Sequence, residues 1–266
     1  MVFLPQLGTV REMLLYCTHM ERRSKLRVLG IGAGVGCVVL VWLMGLSPAV
    51  LVAAPPSDDN RPRIVAFGDS LTAGLGVAAG ETYPAELQRR LDALGLRYRV
   101  INAGVSGETT AGGLRRVPWV LRSHPEIVIL ELGANDGLRG LRVDETQANL
   151  EQIILQLQRS GVQVILAGMK LPPNYGKDYL SGFERIYPEL AVRYRLPLIP
   201  FFLEGVAASN ALNQADGIHP TARGYRMIVE TMLRTIQPVL TKAGKLKKGE
   251  KESTPTSPIP RPGRSQ

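Results

Sequence analysis

Apolar positions along the central part of the chain follow two alternating periods. Ile64-Val65-Ala66-Phe67, Arg99-Val100-Ile101-Asn102, Ile127–Leu132, Val162–Ala167 and Leu198-Ile199 are short, nearly continuous apolar runs. Such runs read as strands covered on both faces, because a half-exposed strand would alternate apolar with polar residues. Between them the spacing becomes helical. Leu87, Leu91 and Leu94 repeat within 83–95. Leu150, Ile153, Ile154 and Leu157 form one face of a helix stopped by Gly161 and opened by Asp144, with Gln147 three residues on in the pattern of a capping box. Further helices are predicted over 183–195 and 221–237. Strand and helix in alternation predict βαβ units and an α/β fold around a mostly parallel five-stranded sheet.

The two ends follow neither period. From Val28 to Ser57 there are 30 residues without a charge, preceded closely by Arg22, Arg23, Lys25 and Arg27. Cations resist translocation while the apolar run enters the bilayer, so residues 1–57 read as a signal peptide or N-in membrane anchor plus a short linker. The chain is thereby expected to be exported across the cytoplasmic membrane. Five glycines within 28–46 make a poor soluble core helix. Ser47-Pro48-Ala49 offers small residues for cleavage before Val50, and Met20 offers an alternative start. At the other end, 242–266 is rich in Lys, Pro and Ser and has no aromatic residue, which predicts a disordered tail. Its cations would also suit anionic headgroups. The folded domain is therefore expected over 58–241.

Charge alters the picture only through its location. Of the formal +9, the first 27 residues carry +3 and the tail carries +5. Residues 28–241 hold 20 basic and 19 acidic side chains, so no basic nucleic-acid-binding domain is present in the middle. Both cysteines, Cys17 and Cys37, precede the domain, which excludes a disulfide framework or a cysteine metal cluster within it.

Candidate chemistry gathers where the strands end. In parallel sheets ligands bind at the carboxyl edge. Gly68-Asp69-Ser70-Leu71, Asn102-Ala103-Gly104 and Gly133-Ala134-Asn135-Asp136 follow the first three strands. Gly74-Leu75-Gly76-Val77-Ala78-Ala79 matches a relaxed dinucleotide fingerprint but misses the turn leaving the strand, which Gly68-Asp69-Ser70 occupies. A serine on such a turn is a weak nucleophile until a base removes its proton. Asp216-Gly217-Ile218-His219-Pro220 supplies both a histidine and a carboxylate three residues before it, the division of labour of a Ser-His-Asp triad. His124 precedes a strand, at the opposite sheet edge, and reads as a surface residue. Donors for a developing oxyanion are expected from the Ser70 N–H, the Gly104 N–H and the Asn135 amide.

The blocks around Ser70, Gly104, Asn135 and His219 resemble those of the SGNH, or GDSL-type, hydrolase superfamily. The segments 103–110, 171–176 and 200–204 are similar to its bacterial arylesterase and thioesterase I/lysophospholipase group. The resemblance implies a flavodoxin-like three-layer α/β/α sandwich. It implies an esterase acting on carboxylic esters or thioesters of acyl chains, lysophospholipids included, with Ser70 as nucleophile, His219 as base and Asp216 orienting it. It implies no metal or organic cofactor, and it gives Asp69 and Asp136 a supporting role. Leu171, Pro172, Tyr175 and Tyr179, in the loop 170–184, are expected to line the acyl groove. A carbohydrate O-deacetylase of the same superfamily, or a membrane-tethered acyl-binding protein without turnover, are the other readings the sequence leaves open.

Overall fold

In the computed structural model, which describes residues 59–252 (side chains through 241), the apolar runs become the core of one sheet. Strands β1 (Arg63–Gly68), β2 (Arg99–Gly104), β3 (Ile127–Glu131), β4 (Gln163–Ala167) and β5 (Leu198–Ile199) are all parallel, in the order β2-β1-β3-β4-β5. β3 is buried along its whole length, and β1 and β4 after their first residue. The reason is that helices cover both faces. Helices α2 (Tyr83–Ala93) and α7 (Ala222–Glu252) pack together on one side. On the other, α5 (Val143–Arg159) packs against α3 (Thr110–Leu121) and α6 (Lys177–Tyr194). The expected α/β/α sandwich is what forms. The expected leader and its cations, 1–57, and the end of the tail lie outside the described residues. Among the described residues no helix is long and apolar enough to cross a membrane.

Four local expectations need correction. Helix α3 has no counterpart in the sequence pattern, because Gly112, Gly113 and Pro118 lie inside it. Gly113 is there for packing: a Cβ at this position would come within 2.3 Å of a Leu132 methyl, so α3 sits directly on that side chain. The capping box at Asp144 does not form. Arg142 is the N-cap, and Asp144 lies in the first turn, accepting from the Glu145 N–H at 3.0 Å, where its charge favours the positive helix end. Helix α6 begins at Lys177 rather than 183, so half of the expected groove loop is helical. Finally, α7 crosses the expected boundary at 241 and continues to Glu252. Lys, Ala, Leu and Glu are good helix formers, and a turn added to a helix already anchored by packing needs no new nucleus.

The strand order positions the site. The chain runs from β1 outward to β2, then crosses back to place β3 on the other side of β1. The loops leaving β1 and β3 thus diverge, opening a crevice at the carboxyl edge between them.

Candidate active site

β1 ends at Gly68, and the chain turns at once into a four-residue helix, α1 (Ser70–Ala73). Asp69 caps it, its carboxylate accepting from the Leu71 N–H at 3.0 Å. Gly74 closes it in the left-handed conformation (φ 81°) and donates its N–H to the Ser70 carbonyl at 2.9 Å. Ser70 is therefore fixed at the start of a tight strand-to-helix turn and is 8% exposed.

His219 arrives from the far end of the chain on a loop held at several points. The Gln214 N–H donates to the His219 carbonyl at 2.7 Å. Gln214 Nε2 donates to the carbonyls of Leu75, at 2.7 Å, and Pro220, at 3.0 Å, tying this loop to the one that follows Ser70. Asp216 Oδ1 accepts the N–H groups of both Ile218 and His219 at 3.0 Å. Its other oxygen lies 2.8 Å from His219 Nδ1, and His219 Nε2 lies 2.9 Å from Ser70 Oγ. With Nδ1–H directed at Asp216, Nε2 is left as an acceptor for the Ser70 hydroxyl. The backbone N–H of His219, followed by its ring, holds the Asp216 carboxyl down at about 2. Asp216 thus stays anionic while the imidazole gains or loses a proton.

Of the expected oxyanion donors, Asn135 lines the cavity beside Ser70 and Gly104 does not. Asn135 lies in the short helix α4 (Ala134–Leu138) directly after β3, half-buried, and donates from Nδ2 to Asp69 Oδ2 at 3.0 Å, leaving its second amide proton for the cavity. The N–H of Gly104 instead donates to Asn102 Oδ1 at 2.9 Å. A Cβ on Gly104 would run into the backbone of Thr72 and Ala73, so this glycine lets β2 approach α1, the helix that carries Ser70. Three residues on, Gly107 (φ 77°) lines the cavity beside Ser70 and Asn135. The signal was available: in Val105-Ser106-Gly107-Glu108 a glycine stands on the loop tip rather than at the end of the strand.

The cavity has a volume of about 670 Å³ and a predominantly apolar wall. Ser70, Asn135 and His219 meet Leu75, Leu138, Leu171, Pro172, Leu203 and Ile218 there. Leu171 and Pro172 stand as expected. Tyr175 and Tyr179 do not line it. Their rings stack on each other with centroids 6.2 Å apart, and their hydroxyls donate to the carbonyls of Leu138 and Leu141 at 2.9 and 2.6 Å. Tyr175, in a short turn before α6, and Tyr179, in the first turns of α6, thereby brace the 138–141 loop. Asp136 also supports, accepting from the Thr110 N–H and hydroxyl at 2.8 and 2.6 Å and so tying α4 to α3. His124 is exposed, before β3, away from the site.

One residue in the site's foundation escapes sequence reasoning. Glu131, the last residue of β3, sits in an apolar stretch and is fully buried beneath the Ser70 turn. Thr72 donates to its Oε2 at 2.7 Å. Burial pushes both Glu131 and Asp69 above the ordinary carboxylate range. Among the described residues, no three His, Cys, Asp or Glu side chains gather in a way that could hold a metal ion.

This arrangement of a serine, a histidine, a carboxylate and an amide at the crevice of a doubly wound sheet has counterparts among known proteins. Residues 66–227 match the GDSL-like lipase/acylhydrolase family. The chain is 42% identical to esterase TesA of Pseudomonas aeruginosa over 206 residues, covering 77% of this chain and 96% of that protein. It is 38% identical to thioesterase 1/protease 1/lysophospholipase L1 of Escherichia coli over 178 residues, 66% of this chain and 84% of that protein. A crystal structure of TesA aligns with a TM-score of 0.64, covering 66% of this chain and 98% of that one. The chain belongs to the GDSL-like lipase/acylhydrolase family.

Proposed function

We propose that this protein is a serine esterase that hydrolyses carboxylic esters or thioesters of acyl chains through an acyl-enzyme on Ser70. One observation carries the reading: the continuous relay from Asp216 Oδ2 to His219 Nδ1, and from Nε2 to Ser70 Oγ, at 2.8 and 2.9 Å, opening into an apolar cavity. Ser70 Oγ attacks the acyl carbonyl while His219 Nε2 takes the hydroxyl proton. The carbon–oxygen or carbon–sulfur bond then breaks as His219 returns that proton to the departing alcohol or thiol. Water attacks the acyl-Ser70 ester, again giving a proton to His219, and the carboxylic acid leaves with Ser70 regenerated. Asp216 holds the ring in the required tautomer and stabilises the imidazolium. The Ser70 N–H, the Asn135 amide and, in place of Gly104, the Gly107 N–H face the developing oxyanion.

The apolar wall supports acyl chains over acetylated sugars, and lysophospholipids fall within that class. The uncharged run behind Arg22–Arg27 supports action beyond the cytoplasmic membrane, which mass spectrometry of the mature N-terminus in membrane and periplasmic fractions tests. For the chemistry, the test is a p-nitrophenyl ester series of increasing chain length combined with labelling by a fluorophosphonate. Turnover of acyl esters and a single adduct on Ser70 are expected. Binding without turnover or adduct would leave only an acyl-binding protein, and preference for acetylated sugars would mean a deacetylase.

A further inference from the structure

Glu131 has no part in the relay, yet its surroundings are unusual for a carboxylate. It is 0% exposed, with Thr72 Oγ1 donating to Oε2 at 2.7 Å and no donor for Oε1. Thr72 stands two residues after Ser70 in α1, and its hydroxyl also lies 3.3 Å from Tyr83 Oη. The Glu131 carboxyl lies against the Gly68–Asp69 turn, with Oε2 2.4 Å from where a Gly68 Cβ would stand, and both the N–H and the carboxyl of Asp69 act on it. Asp69, itself 1% exposed, accepts from the Leu71 N–H and from Asn135 Nδ2. Two ionised carboxylates offer only acceptors, so a dry interior cannot hold them together unless one carries a proton. Each Asp69 oxygen has a donor directed at it, whereas Glu131 Oε1 has none. The proton therefore belongs on Glu131.

We propose that Glu131 is a positioning residue: a neutral carboxylic acid that donates its hydrogen bond to Asp69, keeps Asp69 the anionic acceptor of Asn135, and so aims the Asn135 amide and the Ser70 turn. This rests on the esterase reading for its consequence, though not for its geometry. The chain of action runs Glu131 to Asp69 to Asn135 on one side, and Glu131 to Thr72 to α1 on the other. Gly68 completes the fit, since a Cβ there would collide with Thr72 Oγ1 and Glu131 Oε2. Thr72 from α1 bonds this carboxyl, and the titratable groups close enough to feel its charge are Asp69 from the β1–α1 turn, Tyr83 from α2, Tyr187 from α6 and Tyr225 from α7. Asp136 and His219 act on Asp69 from further off. The tyrosines stay neutral, with burial pushing each of them up. That leaves Asp69 as the anion that a proton on Glu131 serves.

The test uses the full chain and two isosteric variants. Glu131→Gln keeps a neutral donor, whereas Glu131→Leu keeps volume and removes the donor. The un-ionised carboxylic acid carbonyl stretch should be present in the infrared spectrum of the wild type at neutral pH and missing from Glu131→Gln. Glu131→Gln should keep kcat within about threefold and leave the acid limb of the pH profile in place. Glu131→Leu should lose about tenfold or more in kcat at unchanged KM, with its acid limb moved to higher pH because Asp69 has lost a donor. The absence of the infrared band, a Glu131→Gln variant as impaired as Glu131→Leu, or a Glu131→Leu variant with wild-type kcat and acid limb would each overturn the proposal. Hydrolysis persisting in Ser70→Ala would instead sink the esterase mechanism while leaving the band untouched.

Discussion

His219 Nε2 and Ser70 Oγ stand 2.9 Å apart although 149 residues separate them in the chain. Gln214, bridging the Leu75 and Pro220 carbonyls, holds the two loops in this register without being part of the relay. Serine and histidine act as one unit in such a pair. Ser70→Ala and His219→Ala should each reduce kcat by at least about 10⁴-fold, and the double variant should be little worse than either. Measuring kcat for all three on one p-nitrophenyl ester checks this. Additive losses would mean that the two residues do not cooperate.

Asp216 is half exposed yet held at about 2 by its bonds to His219. A carboxyl with a lowered value contributes stability above its unfolded value and loses that contribution as pH falls toward about 2. The acid limb of activity therefore does not belong to Asp216. Asp216→Asn should lose roughly 10³–10⁴-fold in kcat at neutral pH by favouring the wrong imidazole tautomer. A full pH profile of this variant checks both statements.

Gly104 and Gly107 should fail differently when replaced by alanine. At 104 the new Cβ meets the backbone of α1, so Gly104→Ala should lower the melting temperature markedly. At 107 there is open space apart from the Arg139 guanidinium at 3.6 Å, and the cost is the left-handed φ, about 1 kcal/mol. Gly107→Ala should melt within a few degrees of wild type while losing kcat through a misplaced N–H. Thermal melts and kcat on the same preparations separate the two.

Tyr175→Phe and Tyr179→Phe should each cost about 1 kcal/mol of stability, for one lost hydrogen bond to the 138–141 loop. Neither should change the order of preference in an ester chain-length series. By contrast Leu171→Trp, which fills part of the cavity, should shift preference to short chains. Kinetics across that series distinguishes wall from brace.

Glu131 also predicts how stability varies with pH. Its folded carboxyl titrates well above the ordinary 4.5, so the native state holds a proton that the unfolded chain releases. Stability from this group is present below about 4.5 and declines as pH rises toward the folded value. Glu131→Gln removes that dependence, and its melting temperature should gain on wild type by about 2–4 °C per kcal/mol as pH is raised from 4 to 8. Melts at stepped pH check the sign.

Much of this was legible from residue order. Strands buried on both faces need continuous apolar runs, and Ile64–Phe67, Ile127–Leu132 and Val162–Ala167 are such runs, so β1, β3 and β4 could be read directly. Ser70, Asp216, His219 and Asn135 stood in short segments whose residue types have few other uses together. Helix α3 was hidden because Gly112, Gly113 and Pro118 weaken local helix propensity, and only contact with Leu132 explains Gly113.

The sequence by itself determined the alternating α/β architecture, the near-neutral middle of the chain and the chemical types at the carboxyl edge, because burial period, charge and functional groups are properties of the residues in order. Tertiary structure alone decided which glycine faces the cavity, which aromatic side chains brace a loop instead of lining it, and that Glu131 lies under the nucleophile. Those outcomes depend on distances between segments far apart in the chain. A Cβ width at Gly104 or the dryness around Glu131 exists only once β1, β2 and β3 have come together.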